Sequence, residues 1–239
     1  MPFTTVWVEL PDIAGFLQSK GATHPPYTLP AIDDPNTGAL VVDSLAIAAY
    51  LDETYPETPK VLSLAARAAL EGVEEDFSFV PRSGPSIGAN TSGGAGSGGD
   101  FAPRVVFVLL AANRFNPVSK AHYHQIRGAR LGELWTTLRD ACAAGPEGRA
   151  ERVRQGIDAL RGVWRKLTAM YDRQSDSEGG RFGGPFALGE EPCFLDFAVA
   201  ARVKFVLDQL VPSELETVTN LEGGRLVRLV ESLERYYIY

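Results

Sequence analysis

The chain is poor in the residues that build metal centres and covalent scaffolds, with two cysteines, two methionines and three histidines among 239 residues. Cys142 and Cys193 lie far apart, and neither belongs to a CxxC or to a Cys/His cluster with metal-ligand spacing. That speaks against a disulfide framework and a zinc module, so no metal site is expected. His122 and His124 are two apart on a helical pattern, hence on different faces, and do not make one either. Long apolar runs are missing too: the longest, Val105 to Ala112, falls far below the roughly 20 residues that span a bilayer. Long basic runs are absent, and 30 acidic against 23 basic residues give a net charge of -7. Nucleic acid and anionic lipid both demand a basic face, so neither is an expected partner. The opening residues MPFTTVWVELPDI carry no basic start and no apolar core, and the expected location is cytoplasmic.

What is present is an ordinary globular balance, 45% hydrophobic and 22% charged. The length allows one or two domains at roughly 100–200 residues each. FTTVWVEL alternates Val6 and Val8 against Thr5, Trp7 and Glu9, which predicts a half-buried strand from Phe3 to Leu10. PDIAGFLQSKG predicts a short helix with Pro11 in its first turn, Ile13, Phe16 and Leu17 at helical spacing, and a stop at Gly21. The turn chemistry of DDPNTG between Ile32 and Ala39, followed by ALVV, predicts a hairpin. Asp43 or Ser44 then caps a helix, SLAIAAYLDETY, that ends before Pro56.

From about Leu62 the patterns are almost entirely helical. The expected organisation is a small α/β unit at 1–58, the linker YPETPK, and an all-helical domain of about six helices at 61–239. Residues 83–99 hold seven glycines and four serines, a composition no helix survives, and read as a flexible connection or a lid over a ligand. The stretch SDSEGGRFGGPFALGEEP reads as a surface loop leading into a buried helix.

Three features of the α/β unit carry chemistry. Leu29-Pro30 stands at the entrance of a strand in YTLPAI, where a cis bond would turn the Leu29 N–H and C=O toward a ligand; the plainer reading is a strand-edge proline. Asp43-Ser44 is a helix N-cap whose free N–H groups and hydroxyl suit a carboxylate, while the adjacent Asp suits an ammonium. In SKGATHPP, Lys20 or His24 could reach an anionic group, or be simply solvated.

The arrangement VWVEL, TLPAI, turn, VVDSLAIAAYLDETYP resembles the glutathione-binding, thioredoxin-like domain of glutathione S-transferases. The resemblance implies that Thr28, Leu29 and Pro30 belong to the loop pairing with the cysteinyl backbone of glutathione, and that Asp43-Ser44 binds its γ-glutamyl group. GEEPCFLDFAVAARVKFVL is similar to the family's capping-box helix, with Cys193 where Ser or Thr is usual and one capping bond weakened in consequence. TVWVELPDI and the segment from Tyr27 to Pro56 look most like the fungal class related to bacterial β-etherases. They are also similar to transferase-like enzymes of fungal secondary-metabolite clusters, the pseurotin pathway among them.

Such relatives imply conjugation of glutathione to a hydrophobic electrophile, or reversible thiol addition that isomerises an olefin. They are commonly dimers, so a homodimer is an open expectation. The family has a strand, a loop bearing the catalytic Ser, Tyr or Cys, and a helix before the strand expected at Phe3 to Leu10; only two residues precede that strand here. The expectation is an N-terminal domain short by one strand and one helix, with the thiolate stabilised by another group. Arg104, which would lie near Val108 and Phe115 on the first helix after the Gly-rich stretch, is the candidate catalytic residue for a thiolate or an enolate. Its alternative is a solvated arginine at a helix start. Tyr123 is a further possible donor, or packs. A non-catalytic protein binding glutathione and hydrophobic ligands is the other function class.

Overall fold

The computed structural model describes residues 2–71, 102–175 and 184–236. The Gly/Ser-rich stretch at 83–99 lies outside the described residues. A 3-10 turn at Leu10–Asp12 runs into α1 (Ile13–Ser19), which buries Leu17 and closes near Gly21. β1 (Ala31–Asp34) and β2 (Ala39–Val42) pair antiparallel with Ala31 opposite Val42 and Asp34 opposite Ala39. The loop between them closes through the Gly38 N–H donating to the Asp34 carbonyl at 2.8 Å, with Gly38 at φ 74°, a conformation that favours glycine. α2 (Ser44–Thr54) follows directly.

The strand expected over Phe3 to Leu10 does not form. The sheet among the described residues has two strands, and no neighbour offers this segment a ladder. Phe3, Val6 and Trp7 are exposed, Trp7 to 92%. The end of the segment is instead fixed on the helical side, where the Glu9 carboxylate accepts from Asn116 Nδ2 at 2.6 Å and from the Ser119 hydroxyl, and the Leu10 N–H donates to Ser119 Oγ at 3.1 Å. Asn116 and Ser119 are the cap and first turn of α5, so Glu9 meets the positive end of a helix.

Among the described residues the helical part holds α3 (Leu64–Glu71), α4 (Val105–Ala111), α5 (Pro117–Leu131), α6 (Glu133–Ala143), α7 (Pro146–Ser175), α8 (Phe194–Leu207), α9 (Pro212–Thr219) and α10 (Arg225–Leu233). That is more than the six expected. The pattern from Pro117 to Ala143 breaks at Gly132, whose φ 55° and ψ -127° end α5 and start α6, and PSELETVT forms α9 behind a proline at its first position. Every residue of α4 is buried, so it is apolar all round and runs through the core. The main cluster joins α4 to Leu160 and Leu167 of α7, Leu195, Val199 and Val203 of α8, and Leu226 and Leu229 of α10. The second loop is not a plain surface loop in its described part: Phe186 and Ala187 are buried in this cluster.

The α8 start confirms the capping box. Asp196 is fully buried, its Oδ2 accepting from the Cys193 N–H and its Oδ1 from the Ala187 N–H, both at 2.8 Å. The carboxylate half is strong and the thiol half weak, because sulfur is a poor acceptor. The hairpin and α2 join the helices through Leu45 packed on the main cluster, the Asp52 carboxylate accepting from the Leu62 N–H at 2.8 Å, and the Phe194 N–H donating to the Val61 carbonyl at 2.7 Å.

Candidate functional site

The hairpin ends bring two of the sequence features together. Ala31 pairs with Val42, so the residues just outside that pair, Pro30 and Asp43, face each other, and the Asp43 N–H donates to the Pro30 carbonyl at 3.3 Å. The Leu29-Pro30 bond is cis, as is Pro25-Pro26. Leu29 is 42% exposed, and among the described residues no protein group hydrogen-bonds its N–H or C=O. Thr28 is exposed beside it.

Asp43 sits at φ 87°, a region that a side chain makes costly, of order 1–3 kcal/mol. The conformation is held from every side. Its N–H reaches Pro30, its carbonyl accepts from the Ile47 N–H at 2.8 Å, and its Oδ1 accepts from the Leu45 and Ala46 N–H groups at 2.9 and 3.2 Å. Asp43 is therefore the N-cap of α2, and Ser44 its first residue. Oδ2 of Asp43 and the Ser44 N–H and hydroxyl have no partner among the described residues, and both residues are exposed. A helix N-terminus with an N–H and a hydroxyl available, next to an acceptor carboxylate oxygen, presents complementary halves to a zwitterionic head group. The adjacent backbone of Leu29, in a bend just before β1, offers one donor and one acceptor.

The other sequence candidates differ in their surroundings. Lys20 is engaged by Asp33, with its Nζ 3.0 Å from Oδ2, and His24 is exposed. Tyr123 packs: its hydroxyl donates to the Val108 carbonyl at 3.0 Å, and burial raises its pKa. Arg104 stands in the helical part, on a 3-10 turn packed against α7 and α4. It is 6% exposed, so it is not the solvated arginine of the alternative reading. Neither thiol is a ready nucleophile, since burial pushes Cys142 up and pushes Cys193 up to about 12, where the Asp196 charge adds to the effect. Among the described residues no three His, Cys, Asp or Glu side chains are grouped to hold a metal, and no helix is long and apolar enough to cross a membrane.

Sequence reasoning missed one cluster in the same unit. Asp34, at the end of β1, accepts from Tyr50 and Tyr55 of the following helix segment. The signal was there in an Asp-Pro-Asn turn followed by two tyrosines five apart, but each was absorbed into turn or helix patterning.

Comparison with known proteins agrees with the fold. The chain is 29% identical to the glutathione S-transferase-like protein ustS of Aspergillus flavus over 211 residues, covering 82% of this chain and 65% of that relative, which is thus somewhat longer than the part matched. A glutathione S-transferase of Ceriporiopsis subvermispora, solved in complex with glutathione, superposes with a TM-score of 0.69 at 29% identity, covering 98% of this chain and 86% of that one. A glutathione transferase of Phanerochaete chrysosporium shares the fold with a TM-score of 0.70 at 22% identity, covering 99% and 84%. The N-terminal unit is thioredoxin-like and the rest a transferase-type helical bundle. Residues 101–236, more than half of the chain, match the family described as glutathione S-transferase, C-terminal domain, and the chain belongs to that family.

Proposed function

We propose that this chain is a glutathione-dependent transferase acting on a small hydrophobic electrophile. The observation that carries the reading is the hydrogen bond from Asp43 to Pro30, which sets the open Leu29 backbone beside the open N-terminus of α2. In this reading Thr28, Leu29 and Pro30 hold the cysteinyl part of glutathione, the Leu29 N–H and C=O making two backbone bonds. The Ser44 N–H and hydroxyl donate to the γ-glutamyl carboxylate, and Asp43 Oδ2 accepts from its ammonium. Two of the proteins named above support it, that of Aspergillus flavus by its name and that of Ceriporiopsis subvermispora by its bound ligand.

Glutathione supplies the sulfur nucleophile. The protein's task is to orient that sulfur and favour its thiolate. Arg104 is the cation we propose for stabilising the thiolate, or the enolate formed by thiol addition to an enone. If the thiol is expelled again after bond rotation, the net reaction is cis–trans isomerisation of an activated olefin, a reaction suited to fungal secondary metabolism. A cytoplasmic, homodimeric protein fits this role.

The second reading, a non-catalytic protein that binds glutathione and hydrophobic ligands, has one observation in its favour. Cys142, Cys193, Tyr123 and Tyr171 are pushed up by burial and Tyr55 by its bond to the Asp34 carboxylate, the wrong direction for a group that would give up its proton. Incubating the purified chain with glutathione and either a chromogenic aryl halide or an enone separates the two. Turnover supports the transferase. No turnover, with the chain still held on immobilised glutathione, selects the binding protein, and loss of both overturns the site.

A further inference from the structure

Asp34 is buried although it sits at a turn, with 8% of its surface exposed. Its carboxylate is fully used. Oδ1 accepts from the Asn36 N–H at 2.9 Å and from Asn36 Nδ2 at 3.1 Å; Oδ2 accepts from the Tyr50 and Tyr55 hydroxyls at 2.6 and 2.5 Å. Each phenol has one proton and gives it to Asp34. The Tyr50 oxygen therefore accepts from the Thr37 hydroxyl, 2.6 Å away, and the Tyr55 oxygen accepts from Asn36 Nδ2 at 3.2 Å. Three residues of the turn and two of the α2 segment close one network.

The turn does not need the tyrosines, because Gly38 and its bond to the Asp34 carbonyl close it already. What they add is a tie to α2. That helix has eleven residues and buries only Ala48, and isolated helices below about 12–15 residues are marginal, so tertiary contacts must hold it. It runs back along the hairpin, about 16 Å of helix beside about 13 Å of strand. Its start is pinned by the Asp43 bond to Pro30, and its far end by Asp34. The tyrosine bonds, Tyr50 first, hold the Asp34 carboxyl down to about 2, so it remains an acceptor-only carboxylate at neutral pH.

We propose that Asp34 is a positioning residue for the ligand head group: through Tyr50 and Tyr55 it fixes the direction and rotation of α2, and so the placement of Asp43 and Ser44 relative to Leu29. This rests on the proposed γ-glutamyl site. The expected signature is selective, since loosening α2 affects the part of the ligand held by Asp43 and Ser44 and spares the part held by Leu29.

The test is calorimetric titration of the full chain with glutathione and with cysteinylglycine, which lacks the γ-glutamyl group. Wild type prefers glutathione. In Tyr50→Phe/Tyr55→Phe that preference falls about tenfold and in Asp34→Asn several-fold, as loss of charge-assisted bonds would give, while cysteinylglycine affinity stays within about twofold. An unchanged preference in variants with wild-type far-UV spectra overturns the proposal, and so does a parallel loss of both affinities. If the double variant does not fold, the two single Tyr→Phe variants, each expected to lower the preference about threefold, decide instead. A wild type that does not distinguish the two ligands sinks the γ-glutamyl site itself, a different failure from wild-type preference that survives every substitution.

Discussion

The hairpin and α2 and the helical bundle are stabilised by different physics. The bundle is built on burial: α4 has no exposed residue, and Leu195, Val199, Val203, Leu226 and Leu229 have almost no accessible surface. The hairpin and α2 have no comparable core. β2 is half-buried throughout, α2 buries one alanine, and the Asp34 network, the Asp43 cap and the Asp52 bonds to the Val61 and Leu62 N–H groups supply the definition. A polar frame specifies direction where apolar contact specifies proximity, and the open donors and acceptors of the candidate site lie on the polar side.

The largest effect should come where the bundle itself depends on a charge. Asp196→Ala leaves the Cys193 and Ala187 N–H groups buried without acceptors, at about 1–3 kcal/mol each. Chemical denaturation should show a loss on the order of 2–6 kcal/mol, and a variant within 0.5 kcal/mol of wild type would contradict the capping-box account. Crowding the bundle comes next. A Cβ on Gly156 would stand 2.8 Å from Val106 Cγ1 and 3.0 Å from Phe107 Cε2, so Gly156→Ala should cost about 1–3 kcal/mol despite its better helix propensity.

On the polar side the lever is acid. The Asp34 carboxyl titrates near 3.8 in the unfolded chain and near 2 when folded, so its contribution is fully present above 3.8 and disappears as pH falls toward 2. In acid unfolding followed by circular dichroism, wild type should lose that component between pH 4 and 2 and Asp34→Asn should lack it; an identical acid profile would remove Asp34 from the frame. The smallest effect belongs to the N-terminal segment: Trp7→Ser removes a 92% exposed ring and should change stability by less than about 0.5 kcal/mol.

What the sequence revealed follows the same division. Period and punctuation located α1, the hairpin, the α2 cap and the α8 capping box, because each depends on residues close in sequence. FTTVWVEL misled, since alternation states that a strand has two faces and says nothing of whether a neighbour exists to pair with it. Gly132 lies inside a stretch whose pattern is helical on both sides, and only its conformation splits α5 from α6. Leu29, Asp43 and Ser44 are candidates on their motifs, whereas the burial of Arg104 and the reach of Tyr50 and Tyr55 to Asp34 are tertiary facts that local patterning does not encode.

The central claim is that the exposed start of α2, set beside Leu29, is where glutathione binds. Calorimetric titration of wild type and Ser44→Ala with glutathione tests it most directly. The account predicts saturable binding by wild type and affinity lower by about tenfold in Ser44→Ala at unchanged thermal stability, the loss of one charge-assisted hydrogen bond. Equal affinity in the two proteins would contradict it.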